Sequence, residues 1–236
     1  MVESELYTAR LQALFDKWQR ETGLSVKNKT FSTDGIVNPD IWFGEDNKKR
    51  ILFVLKETNR WCDLCEYVVR KKENGLKTKW QTWYNITRWT YLLRHIHDQT
   101  FDEMWQRVKH IDEKKRIYNL ERIALVNVKK APGGKMTDYD ELIEAFERHN
   151  QAYLLREIEL FGHLDYIICC GKGVSACINR VFGGLEWEKP HGSSHRYART
   201  TSGTLIIDYV HPQSREKKKE LFKGIYDVVI QANSLP

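Results

Sequence analysis

Several signatures are missing from this 236-residue chain, and each absence removes a class of protein. It has no GxxxxGK[ST] loop and no GxGxxG, which argues against a nucleoside triphosphatase or a dinucleotide enzyme. No apolar run approaches the roughly 20 residues needed to cross a bilayer. The opening "MVESELYTARLQ" lacks the basic-then-apolar order of a secretory signal, so a cytoplasmic location with no membrane partner is expected. Cysteine is sparse: five residues, an odd number with Cys169 and Cys170 adjacent, form a poor disulfide framework and fit a reducing compartment. Cys62 and Cys65 have zinc or redox spacing, but no second CxxC accompanies them. His191 and His195 form a pair without an evident third ligand. No metal or organic cofactor is therefore expected.

What is present describes a globular chain, 41% hydrophobic and 30% charged, long enough for one sizeable core. The net charge of +6 makes nucleic acid or another polyanion a reasonable partner, although "REKKKE" and "DEKKRIY" also read as solvated helix faces. Tyr7, Leu11, Leu14, Phe15 and Trp18 recur at helical spacing and predict a packing helix over about Glu3 to Glu21. "RILFVL", "ERIALVNV", "LDYIICCG" and "GTLIIDYV" are short continuous apolar runs, the mark of strands covered on both faces. Helical patterns lie between them, near Trp80 to His97, Asp138 to Phe161 and Val174 to Phe182. Buried strands separated by helical crossovers imply a three-layer α/β/α fold around a central, mainly parallel four-stranded sheet. One domain is expected, probed as residues 1–50 (a helix and an irregular extension), a core over 51–217 and a C-terminal helix over 218–236.

In open α/β sheets, ligands bind beyond the carboxyl ends of the strands. Those ends read "KETNRW", "NVKKAPGG", "GKGVS" and "HPQSR", so a carboxylate, an amide, a Gly-Lys-Gly turn and an imidazole share one rim. Glu57 or Asn59 is suited to orient a water, Asn127 to pair with an amide-like ring edge, and His211 to donate to an oxygen gaining negative charge. Cleavage of a bond between a nucleobase and its sugar has these needs, because its transition state resembles an oxocarbenium ion. Other hydrolyses share them.

The order "FVLKETN", "LVNVKK", "IICCGKG" and "YVHPQSR" resembles that of the uracil-DNA glycosylase superfamily over roughly Ile51 to Lys217. The resemblance implies a glycosylase-like fold and hydrolysis of the N-glycosidic bond of uracil or another damaged or modified base in DNA; a monomer is expected. It gives Glu57 the place of the water-activating residue, with Asn59 beside it. Asn127 takes that of the base-recognising asparagine, and His211 that of the donor to the leaving base. Gly171 ends the third strand, and Lys172, Lys129, Lys130 and Arg215 are candidate contacts to substrate or phosphate. Trp61 or Trp83 is expected to line the pocket. The first motif lacks the family's glycine and proline, Gln213-Ser214 stands where Ser-Pro is common, and the CxxC follows the first motif rather than preceding it.

Two other readings fit the residues. One is a non-catalytic nucleic-acid-binding module of the same fold; the other is a hydrolase of free nucleosides or nucleotides. Trp80, Trp83, Tyr84 and Trp89, interleaved with Arg88 and Arg94, match a stacking platform for unpaired bases, but their spacing is that of a helix packed into the core.

Overall fold

A computed structural model describes residues 2–69, 71–72, 75–76, 80–134 and 137–234. Along the chain, helix α1 (Glu3–Thr22) precedes strand β1 (Gly35–Ile36), the single turn α2 (Pro39–Trp42) and strand β2 (Ile51–Leu55). Helix α3 (Leu64–Val69), the hairpin β3 (Lys71–Lys72) and β4 (Gly75–Leu76), and helices α4 (Gln81–His95), α5 (Phe101–Val108) and α6 (Glu113–Leu120) lead to β5 (Ile123–Asn127). Helix α7 (Tyr139–Ala145), a π-helical turn (Phe146–Asn150) and α8 (Gln151–Glu159) connect to β6 (Tyr166–Cys170). Then come α9 (Val174–Val181), β7 (Arg196–Arg199), β8 (Leu205–Tyr209) and α10 (Lys218–Ser234). Residues 1, 235 and 236 of the outer expected segments lie outside the described residues.

The sheet has six strands in the order β1-β5-β2-β6-β8-β7, not four. The four expected strands form its parallel centre: β5 and β6 flank β2, and β8 lies beside β6. Short antiparallel strands β1 and β7 close the edges, making the sheet mixed. Both additions escape a pattern search for a physical reason. Two residues cannot display a period, and in β7 the exposed Arg196 and Arg199 bracket only two buried positions.

Alternation along β2 explains the continuous apolar run. Ile51, Phe53 and Leu55 face a core built with α3, α4, α5 and α10, while Leu52 and Val54 face a second core with α1, α2, α8 and α9. Each fully buried aliphatic or aromatic side chain contributes about 1.5–3 kcal/mol, so covering both faces fixes the strands and leaves their carboxyl ends as a firm rim. The Trp-rich helix is core: Trp89 stacks on Phe53, and Trp83 is buried with it. Among the described residues no helix is long and apolar enough to cross a membrane.

Candidate functional site

The rim at the carboxyl ends of β2, β5, β6 and β8 holds the residues expected there, but in two distinct environments. On one side, β8 ends two residues before His211, whose Nδ1 accepts a hydrogen bond from the Gln213 N–H at 3.1 Å. The bond fixes the tautomer, since an Nδ1 that accepts leaves the proton of a neutral ring on Nε2. Burial, and then the nearby Lys56 ammonium, lower the His211 pKa below its ordinary 6.5. At neutral pH the ring is thus an uncharged Nε2–H donor.

Gly171 explains how these groups come together. Its φ of 101° lies where side-chain-bearing residues are strained. A Cβ there would also lie 3.3 Å from Lys56 Cε and 3.4 Å from His211 Cβ. The bare backbone lets Lys56 and His211 approach the same strand end. The loop after His211 is tied to α4, with Asn85 Nδ2 donating to Pro212 O at 2.7 Å and Gln81 Nε2 to Ser214 O at 3.0 Å.

Beyond β2, Glu57 is held rather than free. Its side chain is 4% exposed, and Lys129 Nζ lies 3.0 Å from Oε2 while also pairing with Glu141 of α7. Burial would lower the Lys129 pKa, but hydrogen bonds and charge from the two carboxylates prevail and raise it. Gly133 packs so closely on Glu57 that any Cβ would overlap the carboxyl group. Glu57 is therefore a fixed negative group in a covered position. Asn59 and Trp61 are exposed nearby, and Lys29 Nζ stands 5.9 Å from the Trp61 ring centroid. Lys172 is exposed too, 5.4 Å from the Tyr139 ring centroid.

Three expected contacts are covered in the structure. Lys130 is completely buried, paired with Asp34 and Glu157 beneath the rings of Phe15 and Trp18, so it has no face for phosphate. Lys129 is likewise internal and committed to Glu57 and Glu141. Asn127 is 1% exposed; its backbone N–H and Nδ2 both donate to Asp34 Oδ2, at 2.7 and 3.0 Å, and only Oδ1 has no hydrogen-bond partner. Its side chain is thus left with Oδ1 as an unpaired acceptor and with the second N–H of Nδ2. Arg215 is exposed on the loop after His211, as a phosphate contact requires.

Lys56, Asp34, Gly133 and Glu141 belong to the site, although the sequence reading assigned them nothing. Lys56 had a usable signal, a charge immediately after a buried strand. Asp34 and Glu141 had none, because their partners are 93 and 12 residues away.

The cysteine and histidine pairs do not combine. Cys62 and Cys65 sit near Asp34 with thiol pKa values raised first by burial, that of Cys62 to about 12, so neither is a ready thiolate. His195 packs instead on Tyr209 of β8. Among the described residues no cluster of His, Cys, Asp or Glu is arranged to hold a metal ion.

This is a three-layer α/β protein whose polar groups gather at the carboxyl ends of the four parallel central strands of a mixed sheet. No family model matches the chain, and no curated protein matches it significantly.

Proposed function

We propose that the chain is a glycosylase-like hydrolase that cleaves the N-glycosidic bond of uracil or another deaminated or modified base in DNA. The observation that carries this reading is the His211 ring, uncharged, with Nδ1 held by the Gln213 N–H and Nε2–H left to donate. A departing base takes the electron pair of the breaking C–N bond and gains negative charge, and a neutral donor in a covered site stabilises that charge. Glu57 supplies the opposite requirement, a fixed carboxylate at the adjoining rim to favour the positive sugar. Water then adds to the anomeric carbon; its oxygen forms the new bond, and its proton is lost to solvent or to the released base.

In this scheme Glu57 acts through charge, and its tie to Lys129 keeps it oriented. Asn127 offers Oδ1 to a ring N–H or an amino group once the rim opens to admit a base. Turnover on oligonucleotides carrying altered bases tests the scheme: His211→Ala and Glu57→Gln should lose base release while circular dichroism melting shows a folded protein. Base release at the wild-type rate in both variants removes the proposal.

A second reading has its own support. Glu57 and Asn127 are both covered and engaged in the resting structure, which suits a strand-binding module without chemistry. Such a module retains salt-dependent DNA binding and releases no base.

A further inference from the structure

A cleft of about 410 Å³ opens between α4, α5 and the start of α10. Its α4 wall carries Gln81, Tyr84 and Arg88, positions three and four residues apart and so on one helix face. Lys109 and His110 follow α5, and Lys218 begins α10. None of the described residues lining it is acidic.

Arg88 marks this cleft as more than a solvated basic surface. It is 3% exposed, and its bonds go to neutral oxygens: Nε to Val108 O at 3.2 Å and Nη1 to Asn85 Oδ1 at 3.0 Å. Buried cations are ordinarily paired with a carboxylate, as Lys130 is in this same protein. Arg88 has no such partner among the described residues, and burial lowers its pKa. Its positive charge therefore reaches the cleft uncompensated. Lys109, His110 and Lys218 are all exposed around it.

We propose that this cleft binds the phosphodiester backbone of a nucleic-acid strand, with Arg88 at its floor and Lys109, His110 and Lys218 at its mouth. The cations come from three separate elements around a space much larger than one phosphate group, which fits a run of phosphates better than a single anion. Tyr84 adds a half-buried aromatic face to the wall. The cleft also adjoins the His211 loop through α4, because Gln81, a lining residue, holds Ser214 O, and Asn85, which accepts from Arg88, holds Pro212 O. A strand seated in the cleft is thereby anchored beside the rim. The inference goes beyond the proposed hydrolysis and does not depend on it, since a strand-binding module needs the same cleft.

The test is fluorescence anisotropy of the full chain with a labelled, undamaged single-stranded oligonucleotide of about 12 nucleotides. The variant Lys109→Glu/Lys218→Glu is compared with Lys27→Glu/Lys48→Glu, an equal charge change at exposed sites elsewhere. The cleft variant should bind about tenfold more weakly than the control variant at low salt, and its plot of log affinity against log salt should be shallower by about 1.4, for two lost single-strand contacts. Equal affinity in the two variants, no binding by wild type, or full displacement by inorganic phosphate at equal charge concentration overturns the proposal. Base release is read separately. Cleft-dependent binding without release would refute the hydrolysis and keep this site, whereas release from both variants at the wild-type rate would do the opposite.

Discussion

Replacing Glu157 with Gln should make the protein progressively more stable than wild type as pH rises. Glu157 is fully buried, and burial, followed by the charge of Asp34, holds its pKa well above the ordinary 4.5. Lys130 Nζ donates to Oε2 at 2.7 Å and opposes the shift without cancelling it. A hydrogen bond between the protonated carboxyl and Asp34 adds to the upward shift. Asp34, Lys130 and the protonated Glu157 then sum to no net charge, which makes their burial tolerable.

The sign follows from linkage. An unfolded Glu157 titrates near 4.5, so above that pH folding takes up a proton. Its favourable contribution is fully present below about 4.5 and falls by about 1.4 kcal/mol for each pH unit, until the folded pKa is reached. Glutamine keeps an oxygen for Lys130 and an N–H in place of the carboxyl proton, but has nothing to titrate. Between about pH 5.5 and pH 7.5 the advantage of Glu157→Gln should therefore grow with pH, at up to about 1.4 kcal/mol per unit, which is large against a total stability of typically about 5–15 kcal/mol. Urea unfolding of both proteins across this range, extrapolated to water, isolates the effect because all other titrations are shared. A difference that stays flat, or that turns against glutamine as pH rises, refutes the protonated-Glu157 account.

Other expectations concern the rim. Gly133→Ala should push the Glu57 carboxyl off Lys129, at about 1–3 kcal/mol in stability, with base release lost; a crystal structure with the Lys129 pair intact would contradict this. The acid limb of kcat/KM should fall below pH 6.5, because protonating Nδ1 of His211 sets it against the Gln213 N–H. Lys56→Met removes a neighbouring positive charge and should move that limb to higher pH; an unchanged midpoint would separate Lys56 from His211.

The four central strands were legible because each is buried on both faces, and burial on both faces leaves an uninterrupted apolar run. The histidine at the end of the last strand was legible for the same reason, since the run stops where the rim begins. Charges were read less well. "VKK" looks like a basic surface, yet Lys130 meets Asp34 and Glu157, 96 and 27 residues away, and Lys129 meets Glu57 across the strand ends. Only the sheet order brings those carboxylates alongside. Arg88 misled in the other direction: it lies in an aromatic helix that reads as core, and it is buried, but the structure places it under an open cleft with no carboxylate among the described lining residues.

The most direct test of the central claim is mass spectrometry of free base released from a DNA pool carrying uracil, hypoxanthine, xanthine and modified cytosines, with wild type beside His211→Ala. The account predicts one or more bases released by wild type and none by the variant. No release by wild type, or equal release by both, contradicts it.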